Sequence, residues 1–383
     1  MQAIERYDSI VIGAGVFGAW IATRLIESGE RVLLLDQYGA ANARASSGGA
    51  SRVIRLAYGA DAIYSRMAQH SLHAWQQRLA AIGQPDLLQR TGVLWMARHG
   101  QTAPDASLAV LAALGARFRR LDAAALRALY PQLRVPDDGW AIHEPDSGVL
   151  LARRAVQALV QAAARAGLEW LIDEVLPPRL EDPVLRTRRG ATLHGQRLVF
   201  ACGPWLGKLW PDLLGDKLFV TRQEVHYFGT LAGDQRFAPP HFPTWMDFDR
   251  AWYGMPDLDG RGFKLACDAH GPPHDPDRAE RLPTAAGIAA ARRFLAERFP
   301  DLAYAPLLGS EVCQYENSDS GDFLIDQHPE RPDIWLVGGG SGHGFKHGPA
   351  VADYLLGRLT GTQAAEPRFA LAARGTVQRR QVH

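Results

Sequence analysis

The sequence predicts a two-domain chain of α/β plus α+β class, and three observations carry that prediction. Near the amino terminus a strand-like apolar run leads at once into a glycine turn and a helical stretch. A second glycine-rich strand-to-helix turn lies more than three hundred residues later. Between them, from about Phe219 to Lys264, the pattern changes to short strands and turns rich in Tyr, Phe and Trp, the mark of a mainly antiparallel sheet.

Ile10-Val11-Ile12 is the β-branched run of a buried parallel strand. Gly13-Ala14-Gly15-Val16-Phe17-Gly18 follows, then helix formers from Ala19 to Ser28, with Gly29 placed to end the helix. Arg31-Val32-Leu33-Leu34-Leu35 makes the next strand and ends in Asp36. Strand, glycine turn, helix, strand and acid is the order of a Rossmann-like dinucleotide unit. Gly13, Gly15 and Gly18 allow a tight turn, approach of a pyrophosphate and close helix packing, while Asp36 accepts from a ribose. The motif alone does not separate NAD from FAD.

The run from Gly39 to Arg52 is small and polar, hence a loop, and its backbone donors with Ser46 and Ser47 suit a cofactor longer than its pyrophosphate. Arg52 and Arg55 are candidates to meet a flavin ring or a substrate carboxylate, with plain surface arginines as the alternative. Tyr64 to Ile82 reads as an amphipathic helix with Met67, Leu72, Trp75 and Leu79 on one face. His70 and His73 have no third ligand nearby, so no metal site is expected. Thr91 to Met96 is a strand, Ala106 to Leu129 one or two helices, and Glu144 to Leu150 turn chemistry before a helix from about Ala152 to Ala166. Arg197 to Phe200 is a strand running into Gly203 and Trp205, where backbone passes close to a cofactor, with Cys202 a buried core cysteine. Thr284 to Phe299 is helical. Ile334 to Val337 feeds Gly338 to Lys346, whose five glycines within Gly338 to Gly344 let backbone approach a flat ring ahead of a helix from Ala350 to Leu359. The stretch after Thr362 is expected to fray.

Composition bounds the function. The chain has 383 residues, 47% hydrophobic and 22% charged, with a formal net charge of +1, which gives no reason to expect nucleic acid or an anionic membrane as a partner. Cys202, Cys267 and Cys313 are too few and too widely spaced for a disulfide framework or a zinc pattern. A cytoplasmic setting is expected, with no leader and no membrane span.

Taken in order, Gly13-Ala14-Gly15, Ser46 to Arg55 with Ala57-Tyr58-Gly59, Thr91-Gly92-Val93-Leu94, Glu144 to Leu150, Gly262-Phe263-Lys264-Leu265, Val312-Cys313-Gln314-Tyr315 and Ser341 to Lys346 resemble the monomeric sarcosine oxidase and N-methyltryptophan oxidase family, within the D-amino-acid-oxidase-type flavoproteins. The resemblance covers nearly the full length. It implies an FAD-binding domain from residues 1–85, 145–218 and 309–383, and a substrate-binding domain from 86–144 and 219–308. It implies FAD carried by Cys313 through a thioether to the 8α-methyl group, with Gly203, Trp205, Gly342, His343, Gly344 and Lys346 also at the cofactor. Lys264 would hold water near flavin N5 and promote the reaction with oxygen, Arg52 and Lys346 would pair with a substrate carboxylate, and Tyr253 and Tyr315 would shape the pocket. The implied activity is oxidation of a secondary amine, an N-methyl or cyclic amino acid, to an imine that water hydrolyses, with hydrogen peroxide as the second product, by a monomer. A dehydrogenase passing electrons to a carrier, or a flavin-binding subunit of a larger complex, is the alternative. Against the dehydrogenase stands Lys264, since an oxygen-activating lysine has no use there. The family has an active-site histidine four residues after that lysine, where this chain has Asp268, with His270 two residues on. A carboxylate there is expected to face an additional donor or cationic group on the substrate.

Overall fold

The computed structural model describes residues 5–379. Its first large sheet runs in the order Leu324–Gln327, Ile334–Gly338, Thr192–Phe200, Glu5–Ile12, Val32–Asp36, Glu169–Ile172, parallel except for the antiparallel edge strand Leu324–Gln327 and the short Leu185–Arg186, which pairs with Thr192–Phe200. Ile10 to Ile12 and Val32 to Leu35 are buried, as strands covered on both faces must be. On one face the helix Val16–Glu27 packs against the helices Ala152–Arg165 and Gly348–Leu359. The last contact is close because Gly348 has no side chain, and a Cβ there would sit 2.6 Å from the Trp20 ring. Trp20 in turn meets Trp75 of the helix Ala62–Ala81 edge to face at 4.9 Å.

The second large sheet has eight strands in the order Leu307–Asn317, Phe219–Phe228, Phe263–Cys267, Trp252–Met255, Thr244–Asp247, Val93–Arg98, Gly139–Glu144, Arg119–Asp122. All its pairings are antiparallel except that of Thr244–Asp247 with Val93–Arg98. Strand alternation sorts its side chains. Leu94, Phe228, Trp245, Phe263 and Leu265 point one way and pack with Phe294 and Phe299 at the end of the helix Ala285–Arg298. Tyr227, Tyr253, Lys264, Cys313 and Tyr315 belong to the opposite parity, toward the first sheet. Leu307–Asn317 runs through residue 309 as one strand, paired along Phe219–Phe228. A small sheet of Arg52–Ile54, Gly148–Leu150 and Leu88–Gln89 joins the two bodies.

Several elements differ from the sequence reading. Ala106 to Leu129 holds a strand, Arg119–Asp122, between the helices Thr102–Ala113 and Ala123–Leu129. Only Leu121 of that strand is buried, so no alternation marks it. Glu144 to Leu150 is not all turn, because Glu144 ends one strand and Gly148–Leu150 forms another. Cys202 is half-buried, packed against the core of the first sheet and at the same time part of a groove wall. The stretch after Thr362 is anchored: Arg368 pairs with Asp61 and Asp322, both at 2.6 Å, and Phe369 is buried. Residues 380–383 lie outside the described part. Among the described residues no helix is long and apolar enough to cross a membrane, and no cluster of His, Cys, Asp and Glu could hold a metal ion.

Candidate active site

A groove of about 540 Å³ runs from the amino-terminal glycine turn to the carboxy-terminal one, lined by Gly13, Gly15, Asp36, Ser46, Ser47, Arg52, Gly203, Trp205, Tyr315, Gly342 and Gly344 among others. That volume lies within the range of cofactor pockets. Gly13 has φ +104°, and a Cβ on it would lie 2.3 Å from the Ala201 carbonyl. Gly18 stands behind the turn, where a Cβ would strike the Gly13 carbonyl at 1.8 Å. The first of these closes the turn, and the second seats the helix on it. Asp36 is held by three backbone donors, Ala14 to Oδ2 at 2.8 Å and Tyr38 and Gly39 to Oδ1 at 2.8 and 2.9 Å. A carboxylate has about four acceptor sites, so Oδ2 keeps room for a hydroxyl. Ser47 Oγ accepts from Val16 N at 3.0 Å, and Ser46 Oγ donates to the Gln314 carbonyl at 2.9 Å, which ties the polar loop to both ends of the groove.

At the inner end two cations share one carbonyl. Arg52 Nη1 and Lys264 Nζ donate to Ser51 O at 2.8 and 2.9 Å, and Lys264 also reaches Ser51 Oγ at 3.1 Å. Arg52 Nη2 donates to Ser46 O at 2.6 Å and lies 3.2 Å from Cys313 Sγ. The guanidinium can lie against the loop because Gly49 has no Cβ, which would otherwise come within 2.4 Å of Nη1. Burial, and then the neighbouring Arg52, lower the Lys264 amine to about 7. Lys264 arrives on the strand Phe263–Cys267 and Cys313 on Leu307–Asn317, on one face of the sheet by alternation, and both meet the groove-lining loop through Ser51 and Arg52.

Beside them, Tyr315 Oη donates to Asp268 Oδ1 at 2.9 Å. Tyr253 is hydrogen-bonded to Tyr315, and burial pushes both phenols well up. Lys346 Nζ donates to Tyr58 Oη at 2.7 Å and to His343 O at 2.9 Å, and it feels the Asp268 charge. Burial, then Arg55, hold the Lys346 amine well below its ordinary value. Tyr58 Oη also lies 2.8 Å from His347 Nε2, and Arg55 sits over the Tyr58 ring at 4.5 Å and the Trp95 ring at 4.1 Å.

Two expected site residues are placed differently. His270 Nδ1 lies 2.6 Å from Gln378 Nε2 in the carboxy-terminal segment, because the strand ends at Cys267 and the chain turns there. Asp268, not His270, meets Tyr315. The His343 side chain is inserted among Tyr58, Tyr64 and Phe323, with Nε2 3.0 Å from Gly321 O, and the groove is lined by its neighbours Gly342 and Gly344 rather than by its imidazole.

A family model described as FAD-dependent oxidoreductase matches residues 8–358. The chain belongs to that family. This FAD-dependent oxidoreductase is 30% identical to the monomeric sarcosine oxidase of Streptomyces avermitilis, over 94% of its own length and 95% of the relative's. It is 29% identical to the N-methyl-L-tryptophan oxidase of Salmonella heidelberg, over 92% and 95% of the two chains. Among solved structures, the L-proline dehydrogenase of P. horikoshii superposes with a TM-score of 0.82 at 18% identity, covering 96% of this chain and 98% of that one, and shares the fold.

The groove fits FAD on its own geometry. Gly342 has φ +76°, and a Cβ there would lie 2.8 Å from the Tyr315 ring, so a side chain would crowd the groove wall that the two residues form and narrow the space for a flat ring. Glu316, which sequence reasoning passed over, also lines the groove. Its Oε2 accepts from Gly339 N at 3.0 Å, its Oε1 has no partner among the described residues, and burial raises its carboxyl to about 8. Ser51 was missed as well, since its contact with Lys264 spans 213 residues and leaves no local signal.

Proposed function

We propose that this chain is an oxidase of the CH–NH bond of a secondary amine, an N-methyl or cyclic amino acid, using FAD attached through Cys313. The observation that carries this reading is the meeting of Arg52, Lys264 and Cys313 around Ser46 and Ser51 at the inner end of the groove. The names of relatives that oxidise sarcosine and N-methyl-L-tryptophan support it. FAD, when bound, accepts two electrons from the substrate and supplies them to dioxygen.

The chain's own groups then have distinct work. Gly13, Gly15, Gly18, Asp36, Ser46, Ser47, Gly203 and Trp205 would hold the dinucleotide, with Gly342 and Gly344 holding its other end, next to His343. Cys313 Sγ would be the attachment atom, with the Arg52 guanidinium 3.2 Å away. Arg52 and Lys346 would clamp the substrate carboxylate, fixing the amine against the cofactor. Asp268, oriented by Tyr315, would face the amine side and hold a further donor on the substrate, while Tyr253 closes the wall. Lys264, kept from water by Ser51 and the sheet, holds a proton on Nζ where charge develops on oxygen. The imine leaves to be hydrolysed by water. Residues 1–85, 145–218 and 309–383 would form the FAD-binding domain and 86–144 with 219–308 the substrate domain, in a cytoplasmic monomer.

The test begins with an absorbance spectrum of purified protein before and after acid precipitation. Yellow colour retained in the pellet, and released into the supernatant by Cys313→Ser, is the expected result. A panel of N-methyl and cyclic amino acids with peroxide as readout follows. Colour that washes out of the wild-type pellet sinks the covalent link, and absence of peroxide with every amine sinks the oxidase. In the same panel Asp268→His is expected to shift preference toward substrates lacking a second donor, and an unchanged profile removes Asp268 from substrate recognition.

A further inference from the structure

A second cavity, of about 100 Å³, is walled in part by Ser51 and shares no lining residue with the groove. Ala50, Tyr227, Leu258, Arg261 and Glu311 are also among its walls. It is far below the volume of a pocket for an amino acid or a cofactor, yet several times what one water molecule needs. Ser51 is the residue whose two oxygens accept from Lys264 Nζ, so the cavity abuts the shell of the buried amine. Tyr227 is the direct cross-strand partner of Lys264, which places the two side chains on one face as neighbours. The Tyr227 hydroxyl is buried and has no hydrogen-bond partner among the described residues, a cost that a small polar guest in the cavity would relieve. On the solvent side stands the Arg261–Glu311 ion pair, 3.1 Å apart with side chains 53% and 33% exposed, a contact that opens at little cost.

We propose that this cavity is the path by which dioxygen reaches Lys264 and hydrogen peroxide leaves, separate from the route of the amine. The proposal rests on the oxidase reading. Dioxygen arriving there takes up two electrons from the reduced cofactor and two protons, and departs as hydrogen peroxide. Ala50, Leu151 and Leu258 give an uncharged diatomic guest apolar wall, while Arg153 and the exposed Arg154–Asp259 and Arg261–Glu311 pairs supply the charged part of the lining, and the unpartnered Tyr227 hydroxyl is a station for peroxide or water. The amine can therefore occupy the Tyr253–Tyr315–Asp268 side while oxygen enters past Ser51.

Crystals of the holoenzyme under xenon pressure give a readout independent of turnover. Xenon is expected in this cavity in the wild type and absent from it in Ala50→Leu, whose side chain fills the space. In stopped-flow measurements Ala50→Leu is expected to slow reoxidation by oxygen by about fivefold or more, with anaerobic reduction by the amine within about twofold of wild type. Arg261→Ala, which only opens the solvent side, is expected to hold or raise the reoxidation rate, and it keeps the test alive if Ala50→Leu does not fold. An empty cavity under xenon, unaltered reoxidation in Ala50→Leu, or slowed reoxidation in Arg261→Ala overturns the path. Failure of any amine to reduce the wild-type flavin anaerobically is a different outcome and overturns the oxidase reading instead.

Discussion

Phe263 and Lys264 are consecutive residues of one strand, each buried to within 2% of fully, and they face opposite ways. Phe263 stacks on Trp245 at 6.0 Å and meets Phe299 edge to face at 4.9 Å, within a cluster of aromatic rings closed by the helix Ala285–Arg298. Lys264 instead donates to Ser51 across the sheet-to-groove boundary, and burial has moved its amine to about 7. On the first face burial is favourable in itself. On the second the burial of the amine is unfavourable and tolerated, because Lys264 keeps hydrogen bonds to both oxygens of Ser51. Gly254 shows how tightly the apolar face is filled: a Cβ there would sit 2.4 Å from the Trp245 ring.

Substitutions on the two faces should therefore part company. Phe263→Ala is expected to cost about 3–5 kcal/mol of stability, read from denaturant midpoints, while the folded fraction keeps its reoxidation rate. A large fall in reoxidation without loss of stability would show that the faces are not independent. Lys264→Met is expected to do the reverse, lowering the rate of reoxidation by oxygen about 10²–10³-fold with anaerobic reduction retained and no loss of stability. The sign of its pH dependence sharpens the contrast. The folded amine titrates near 7 and the unfolded one near 10.5, so between those values the unfolded chain binds more protons and stability rises with pH. Lys264→Met should flatten that rise, and a rise of equal size in the variant would place the lysine outside the buried wall.

What the sequence disclosed follows the same division between local and distant causes. The glycine turn, Asp36 and the second glycine run were legible because each depends on neighbours within a few residues. Lys264, Cys313 and Tyr315 were legible through the family resemblance, and alternation then places them on one face. Arg119–Asp122 was not legible, since Arg-Arg-Leu-Asp carries one apolar side chain and gains its place only by pairing with Gly139–Glu144. Glu144 read as turn chemistry, although its carboxylate accepts from Leu56 N and Ala57 N, 88 and 87 residues away. The carboxy-terminal segment read as loose because the partners of Arg368 are Asp61 and Asp322, and no pattern within the segment announces them. His270 was weighed as an alternative to Asp268 on spacing alone, which fails once the strand ends at Cys267.

Glu316 supplies the finest test of the difference between a favourable and a tolerated burial. It follows Tyr315 in the strand Leu307–Asn317, lies against the groove, and keeps one oxygen on Gly339 N while the other has no partner among the described residues. Burial raises its carboxyl to about 8 from an ordinary value of 4.5. Between those two values the folded chain binds more protons than the unfolded one, so stability falls as pH rises, opposite in sign to the contribution of Lys264. Glu316→Gln keeps an acceptor for Gly339 N and cannot ionise. In cofactor-free protein it should match the wild type near pH 4.5 and exceed it by up to about 5 kcal/mol above pH 8, as read from urea midpoints at the two pH values. Equal midpoints at both pH values would mean that the carboxylate is already compensated where it lies, and that the groove wall is less costly to bury than the Lys264 side of the sheet.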